Sequence, residues 1–223
     1  MSFHHSPKIV TNGLVLCLDA ANKKSYSGSG TIWRDLTQSA NNFSLVNGTS
    51  FSNSNQGSFL LDGNDDVISI SNPINIPNTE SSSSADIWFN TYTTSGTKQI
   101  LFVGKDGNSY QIEIRSNILR MGVWGGGFLV SSNITPSTFT WYNCTISTNG
   151  TTHNIYLNGQ LINSNSTATQ TGNVTRIVIG SYLLNGGNEQ FNGLISNVKI
   201  YNRVLSASEI SQNYNSLKGR FNL

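Results

Sequence analysis

Charged residues are scarce in this chain, and they are of mixed sign. Of its 223 residues 11% are Asp, Glu, Lys or Arg, there are three histidines, and the net charge is +2. The basic residues are spread thinly, with no run of Lys or Arg that could follow a phosphate backbone. We therefore expect no nucleic acid among the partners of this protein.

Cysteines and long apolar stretches are also scarce. Cys17 and Cys144 are too few for a disulfide framework, and we interpret them as buried free thiols in separate strands. The longest fully apolar run, residues 14–18, is far shorter than the roughly 20 residues that cross a bilayer. The sequence therefore predicts no membrane insertion. Its start, MSFHHSPKIVTNG, has no apolar signal segment, so we expect no ordinary cleaved signal.

The surface must instead be covered by neutral polar groups. Asn (30), Ser (32), Thr (20) and Gly (21) together make up 103 residues. Thr and Asn suit the solvent face of strands, while Gly and Asn supply turns. This composition is typical of β-rich proteins that act outside the cell or on a virion, and is unusual for a cytosolic enzyme.

Short alternations of apolar and polar residues recur along the chain and predict an all-β sandwich or barrel. After a first strand at 13–18, we expect strands at 42–46, 57–62, 66–71, 85–92, 98–103, 109–115, 118–124, 127–131, 139–147, 152–158, 160–164, 174–180 and 194–201. The pair Asn158-Gly159 predicts a two-residue hairpin turn, because both residues tolerate positive φ. A short helical turn is expected at 32–36.

The C-terminal segment changes from a strand pattern to a helix pattern. Ser206 followed by Glu209 is a capping box, and Gly219 is expected to end the helix in a left-handed conformation. We interpret residues 1–12 as an arm that docks on a neighbouring molecule, and residues 13–223 as one domain.

Five phrases in order resemble laminin-G-like domains of the concanavalin A-like jelly-roll superfamily. They are GLVLCLDAANKKSYSGSGTIWRDLTQSANNFSLVNG, GSFLLDGNDDVISI, FTWYNCTISTNGTTHNIYLNGQLI, IVIGSY and FNGLISNVKIYNRVLSASEI. The resemblance extends from about Gly13 to Leu217. It is strongest to the versions carried by tailed-phage virion proteins, in which an opening phrase of the LDAAN…SYSGSG kind is frequent.

This resemblance implies two antiparallel sheets packed face to face, with a concave face and a rim of loops. Such domains bind glycans or protein neighbours, or build the surface of a fibre or capsid. Virion proteins of this kind are commonly symmetric oligomers, often trimers. The resemblance thus implies a homo-oligomer among other virion proteins.

The residues offer little for catalysis. Retaining glucanases of the same superfamily place two carboxylates two to four residues apart on one strand face. The four glutamates here are Glu80, Glu113, Glu189 and Glu209, and none has an acidic neighbour at that spacing. We expect Glu113 to form a surface ion pair with Arg115 on a wet strand face. The sequence therefore predicts no catalytic residue and no enzyme.

An acidic turn, DGNDD at 62–66, is the best candidate for a metal site. Ca²⁺ takes six to eight oxygen ligands, and closely spaced Asp and Asn residues can supply several of them. Asp62 and Asp65 are the candidate ligands. The alternative is an ordinary turn, because Asp-Gly and Asn-Asp pairs are common turn residues and the downstream Glu of an EF-hand is missing.

Two segments fit a sugar-binding surface, which usually combines an exposed aromatic ring with Asn, Asp or Gln side chains. The first contains Trp124 and Phe128 around a glycine run, and the second contains Tyr182, Asn185, Asn188 and Gln190. In the alternative interpretation, Trp124 ends a core strand and Phe128 packs inward.

The sequence thus predicts a non-enzymatic protein on the exterior of a phage particle, either a head decoration or a fibre component held by protein contacts. The main alternative is a carbohydrate-binding module that attaches to cell-surface glycans. A glycan-degrading enzyme is the third and least favoured hypothesis.

Overall fold

Two antiparallel sheets packed face to face form the protein, as the sequence predicts. The computed structural model describes residues 7–123, 127–168, 172–187 and 189–223. The strands in those ranges are β1 (Leu14–Asp19), β2 (Ile32–Trp33), β3 (Phe43–Val46), β4 (Ser50–Ser52), β5 (Ser58–Asp62), β6 (Val67–Ser71), β7 (Ser83–Thr91), β8 (Thr97–Lys105), β9 (Asn108–Arg115), β10 (Ile118–Gly122), β11 (Phe128–Ser131), β12 (Trp141–Thr148), β13 (Thr152–Leu157), β14 (Gln160–Ser166), β15 (Arg176–Ile179) and β16 (Asn192–Tyr201).

Each sheet has eight strands within the described ranges. Sheet A has the order β14-β13-β12-β7-β16-β5-β4, with β1 also paired to β16. Sheet B has the order β11-β10-β9-β8-β15-β6-β3-β2. Neighbours in the sheets are often distant in the chain, which is the crossing pattern of a jelly-roll sandwich.

The core lies between the sheets, and the two-residue period of the strands fills it. Alternate side chains such as Ile87 and Phe89 on β7, and Ile112 and Ile114 on β9, are fully buried there. Trp33 lies in the same core and contacts the ring of Phe59 at 4.8 Å between ring centroids.

The outer face of sheet A is covered by the C-terminal segment. Helix α1 (Ala207–Leu217) starts at the predicted capping box, since Ser206 accepts the N–H of Glu209 and the Glu209 carboxylate accepts the N–H of Ser206. A 3₁₀ turn (Lys218–Phe221) follows, and Phe221 stacks on Trp88 at 4.2 Å between centroids. The helix therefore belongs to the packed body of the domain.

Two local predictions are wrong. No helical turn forms at 32–36, where Ile32–Trp33 are the edge strand β2, paired with β3, and residues 34–36 are irregular. The left-handed residue that ends the C-terminal segment is Asn222 (φ 58°), because the 3₁₀ turn continues through Gly219. The hairpin between β13 and β14 is confirmed, with positive φ at both Asn158 and Gly159.

The described part of the N-terminal arm contacts this chain's own helix. Val10 is buried, its N–H donates to Asn213 Oδ1 at 2.8 Å, and its carbonyl accepts the Tyr201 hydroxyl at 3.0 Å. Gln212 Nε2 donates to the carbonyl of Lys8 at 2.7 Å.

Within the described ranges, no helix is long and apolar enough to cross a bilayer.

The two cysteines lie on opposite faces of sheet A, and both are buried free thiols. Cys144 is in the core, whereas Cys17 pairs with Lys199 of β16 on the outer side. Burial raises the pKa of the Cys17 thiol to about 11, although the positive charge of Lys199 opposes the rise.

Candidate functional site

The acidic turn joins β5 to β6 at one end of the sandwich. Asp62 Oδ1 accepts the N–H groups of Asn64 (2.8 Å) and Asp65 (3.4 Å), and Asp66 Oδ2 accepts the N–H of Asp62 (3.0 Å). Gly63 adopts the left-handed φ of 80° that the tight turn requires. The turn therefore draws its three carboxylates together.

The geometry of these carboxylates fits one calcium ion. One ligand atom from each of Asp62, Asp65 and Asp66 lies within 4.8 Å of the others. Ca²⁺–O distances of about 2.3–2.6 Å allow two ligands of one ion to lie up to about 5 Å apart. Asp66, which the sequence interpretation left out of the ligand pair, is buried. Burial raises the pKa of Asp66, and the charges of Asp62 and Asp65 raise it further.

The loop after β15 packs against this turn. Asn47 Nδ2 donates to two carbonyl oxygens, that of Asp65 at 2.9 Å and that of Asn185 at 3.0 Å. Gly186 lies so close that a Cβ there would be 2.8 Å from the carbonyl oxygen of Asp65. The candidate metal turn and the second candidate sugar-binding segment thus form one rim, which no spacing in the sequence could have indicated.

An open pocket of about 320 Å³ lies in this rim, lined by Arg176, Leu183, Leu184, Asn185 and Gly186. Arg176 is held in place, because its Nε donates to the carbonyl of Tyr182 at 2.9 Å and its guanidinium lies 4.6 Å from the centre of the Phe102 ring. Another guanidinium nitrogen donates to Asp106 Oδ1 at 2.5 Å. The pocket combines apolar, amide and cationic groups.

The rim gathers three of the predicted sugar-binding residues in one loop, but in different environments. Tyr182 is half-buried against an apolar cluster with Val67 and Phe102, and Asn185 is exposed at the pocket. Gln190 is buried, and its Nε2 donates to the carbonyl of Gly187 at 2.9 Å. Asn188 lies outside the described residues.

Phe128 lies elsewhere, at the start of edge strand β11 and four strands away from β15 in sheet B. Its side chain is 54% exposed, so it does not pack inward, and the Arg120 guanidinium lies 5.4 Å from its ring centre. Trp124 lies outside the described residues. The two predicted aromatic segments therefore do not form one site.

Glu113 differs from its predicted surface environment. Its side chain is fully buried, although it lies on the outer face of sheet B between the core residues Ile112 and Ile114. Its carboxylate accepts from Arg120 Nε at 2.7 Å and from Gln99 Nε2 at 2.9 Å, and Arg115 Nε lies 3.5 Å away. The same Gln99 nitrogen donates to Glu189 at 3.2 Å, so the fold brings a second carboxylate near Glu113.

His153 lies at the start of β13, where its Nε2 is 2.8 Å from the carbonyl oxygen of Thr167. Burial lowers its pKa, while this hydrogen bond opposes the change. The imidazole is therefore engaged with backbone inside the domain. That the protein has no catalytic residue stays a prediction.

The chain belongs to the laminin G-like family described as the concanavalin A-like lectin/glucanases superfamily, whose family model matches residues 62–211. The matched region begins at the acidic turn and ends within α1. The family and the jelly-roll sandwich predicted from the sequence are thereby confirmed.

Solved structures with the same fold include enzymes and binding domains. Trypanosoma rangeli sialidase is 15% identical with a TM-score of 0.71, over 93% of this chain and 34% of that chain. Domain 4 of the Geobacillus stearothermophilus arabinanase AbnA, in complex with arabinotriose, is 16% identical with a TM-score of 0.70, over 90% and 98%. The ligand binding domain of botulinum neurotoxin serotype D, in complex with N-acetylneuraminic acid, is 17% identical with a TM-score of 0.71, over 91% and 50%.

This chain thus spans about a third of the sialidase and half of the neurotoxin domain. A search of curated protein sequences finds no match. At these identities, the similarity establishes the fold alone.

Proposed function

We propose that this protein is a non-enzymatic carbohydrate-binding domain whose glycan occupies the rim pocket beside the acidic turn. One observation carries the proposal: Asn47 ties the turn at Asp65 to the loop at Asn185, next to an open pocket of about 320 Å³. Pre-formed pockets of about 300–1,000 Å³ with a few fixed polar groups are typical of small-ligand sites.

The lining suits a sugar ring. Leu183 and Leu184 present apolar surface to the C–H face of a ring, while Asn185 offers an amide that can donate to and accept from hydroxyl groups. Arg176 adds a guanidinium group that is paired with Asp106 and oriented by the Tyr182 carbonyl, so little side-chain entropy is lost on binding. The arabinanase domain in complex with arabinotriose shares this fold.

Calcium would strengthen the same rim. Asp62, Asp65 and Asp66 would hold the ion, and its two positive charges would offset most of the negative charge of the three carboxylates beside the pocket. The Asp65 carbonyl also accepts a hydrogen bond from Asn47, which bonds to the carbonyl of Asn185 as well. An ion that fixes the turn would therefore also restrict the motion of the loop that carries Asn185. We include calcium as a structural ion of the proposed site.

The environment of Glu113 supports a binding role over a hydrolytic one. A glycosidase needs a carboxyl group that reaches the glycosidic oxygen and a second that faces the anomeric carbon. The Glu113 carboxylate is buried and bonded to Arg120 and Gln99, and Glu189 is bonded to Arg115 at 3.1 Å. In this arrangement both carboxylates hold the sheet face and its covering loop together.

The location of the protein is a further part of the proposal and rests on sequence resemblance. The LDAAN…SYSGSG phrase resembles phage virion proteins, and a neutral polar surface with a glycan site suits a decoration or fibre component that touches host glycans. A homo-oligomer, such as a trimer, on the exterior of a particle would multiply weak sugar contacts.

The experiment is a glycan array followed by isothermal titration calorimetry with the best ligand, in calcium and in EDTA. We expect Asn185→Ala to weaken binding about tenfold, because it removes a hydrogen-bonding amide without disturbing the fold. Asn53→Ala is the matched control, since Asn53 is an exposed residue after β4. An array without a ligand, or equal affinities for both variants, would contradict the proposal.

A further inference from the structure

A second exposed aromatic group lies where β7 ends and β12 begins. Tyr92 follows β7, Phe139 precedes β12, and their rings stack at 4.8 Å between centroids with an interplanar angle of 28°. Phe139 is 69% exposed, the highest value among the large apolar side chains of the described residues. One face of this pair therefore meets solvent.

Phe139 also has an unfavourable backbone conformation. Its φ is +57°, a left-handed value that is rare for a bulky residue, and its N–H donates to the carbonyl of Thr91 at 2.8 Å. Exposure of an aromatic ring and a left-handed backbone both oppose folding stability. Their combination at one residue indicates that the ring is placed there for contact with another molecule.

The chain segments that flank the two aromatic residues are uncharged and mostly polar. The flanking segments 90–97 and 131–141 contain no Asp, Glu, Lys or Arg, and they supply hydroxyl groups such as those of Thr93 and Ser95. The side chain of Asn90, near the end of β7, is buried, and its Oδ1 has no hydrogen-bond partner among the described residues. A neutral ligand with hydroxyl groups matches these neighbours better than an ionic one.

The aromatic pair and the acidic turn lie at the same end of the sandwich. The Tyr92 N–H donates to the carbonyl of Asn192 at 2.8 Å, and Asn192 is the strand partner of Asp62. Two strand spacings, about 10 Å, therefore separate β7 from the turn at this end. Tyr92 packs against the cluster of Trp88 on the outer face of sheet A, whereas the rim pocket lies by the cluster of Phe102 on the outer face of sheet B. A chain of several sugars that passes over the turn could contact both places.

We propose that Tyr92 and Phe139 form a second subsite, which binds the apolar face of a neutral pyranose in an oligosaccharide that also reaches the rim. This subsite rests on the proposed function, and it adds that the ligand is a chain of neutral sugars. Stacking on an aromatic ring gives affinity without charge, while hydroxyl side chains around the ring accept and donate hydrogen bonds.

The test uses cello-, xylo- and manno-oligosaccharides of one to six units as probes in titration calorimetry with the full chain. We expect affinity to rise with chain length, and Phe139→Gly to lower the affinity for the longest ligand about tenfold. Glycine accepts the left-handed φ, so this variant keeps the fold, and its melting temperature checks that. Phe139→Tyr should restore binding, and Asn53→Ala should leave it unchanged.

The failures of the two proposals are distinguishable. Weakening by Asn185→Ala but not by Phe139→Gly would overturn the second subsite and leave the rim site in place. No binding of any array glycan or oligosaccharide would overturn both. A change in the mass of the Phe139→Gly variant by sedimentation equilibrium, without a change in sugar affinity, would mean that the ring is a protein contact and would also overturn the subsite.

Discussion

Lys199 Nζ lies 2.8 Å from Asp86 Oδ1, and solvent reaches neither side chain. The two residues are direct strand partners on β16 and β7, on the face of sheet A that α1 covers. Asp86 Oδ2 accepts from Asn143 and from Thr145, both at 2.8 Å, and Lys199 also contacts Asn197 Oδ1. The charges are stable in the interior because nearly every polar atom around them is bonded.

Removal of one partner should therefore destabilise the protein strongly. We expect Lys199→Met to lower the free energy of unfolding by about 3–5 kcal/mol, since it leaves the Asp86 charge buried without its cation. The double variant with Asp86→Asn should lose less than Lys199→Met alone, because no unpaired charge remains. Urea unfolding measures all three proteins, and equal stability of wild type and Lys199→Met would contradict this account.

The capping box should contribute a smaller stabilisation of the fold, and the part that comes from Glu209 should depend on pH. Ser206→Ala should cost about 1 kcal/mol by loss of the cap. The Arg203 side chain, with the Ser206 N–H, lowers the pKa of Glu209 from 4.5 to about 2. The folded state therefore binds a proton less readily than the unfolded chain, so this stabilisation is complete above about pH 4.5 and is lost as the pH falls toward 2.

Glu209→Gln tests that sign. The difference in melting temperature between wild type and Glu209→Gln should be largest at pH 6 and should shrink as the pH approaches 2. A difference that does not depend on pH would show that the Glu209 charge contributes nothing.

Local patterns predicted the sandwich well, while contacts between distant segments could not be predicted. The alternation at Ile112 and Ile114 and the turn at Asn158-Gly159 are local signals, and the structure agrees with both. The same alternation led to the wrong prediction that Glu113 is exposed to solvent. A period of two separates the two faces of a strand, but it does not reveal that a loop covers the outer face.

The residues that form the candidate site are also brought together by contacts between distant parts of the chain. Asn47 lies 138 residues from Asn185, and no local motif links them. Phe139 was predicted as the first residue of a strand. No sequence pattern indicated that this aromatic residue has a positive φ and is exposed to solvent.

The acidic turn should bind calcium measurably. With a dissociation constant of about 10⁻⁴ M, which is common in extracellular modules, about 10 mM calcium would stabilise the fold by about 2.7 kcal/mol. Differential scanning calorimetry should show a rise in melting temperature that EDTA reverses. A variant with both Asp62→Asn and Asp65→Asn should lose the rise, and an identical rise in that variant would assign the effect to another place.

Asp66 gives a second measurement on the same turn. Its raised pKa means that the folded state binds a proton more readily than the unfolded chain. In EDTA, stability from this group should therefore fall as the pH increases through the raised pKa. Asp66→Asn removes the buried charge and keeps an oxygen that can accept the Asp62 N–H, so it should raise the melting temperature in EDTA at pH 7 and abolish the calcium response. A lower melting temperature in EDTA would contradict this interpretation.

The two thiols should be unreactive in the folded protein. Burial raises the pKa of both Cys17 and Cys144, so neither forms much thiolate at pH 8. Ellman's reagent should detect almost no thiol in the native protein and both thiols in guanidinium chloride. Ser164→Cys, at an exposed position of edge strand β14, supplies a reactive control. Native thiols that react as fast as this control would be incompatible with their burial.

Glu113 and Glu189 allow the binding hypothesis to be tested against hydrolysis. They share a donor, Gln99 Nε2, at 2.9 and 3.2 Å, so two carboxylates do lie close together as they do in glycosidases. The arginines on each side neutralise them, however, and a substrate could reach Glu113 only by displacing Arg120, which is 2.7 Å away.

We expect no release of reducing ends from any polysaccharide that the protein binds. Glu113→Gln should lower the free energy of unfolding by about 1–3 kcal/mol, because it weakens the hydrogen bond from Arg120 and removes the ion pair with Arg115. It should leave sugar affinity unchanged. Turnover by the wild type that disappears in Glu113→Gln but persists in a destabilised control such as Ser206→Ala would make this protein an enzyme.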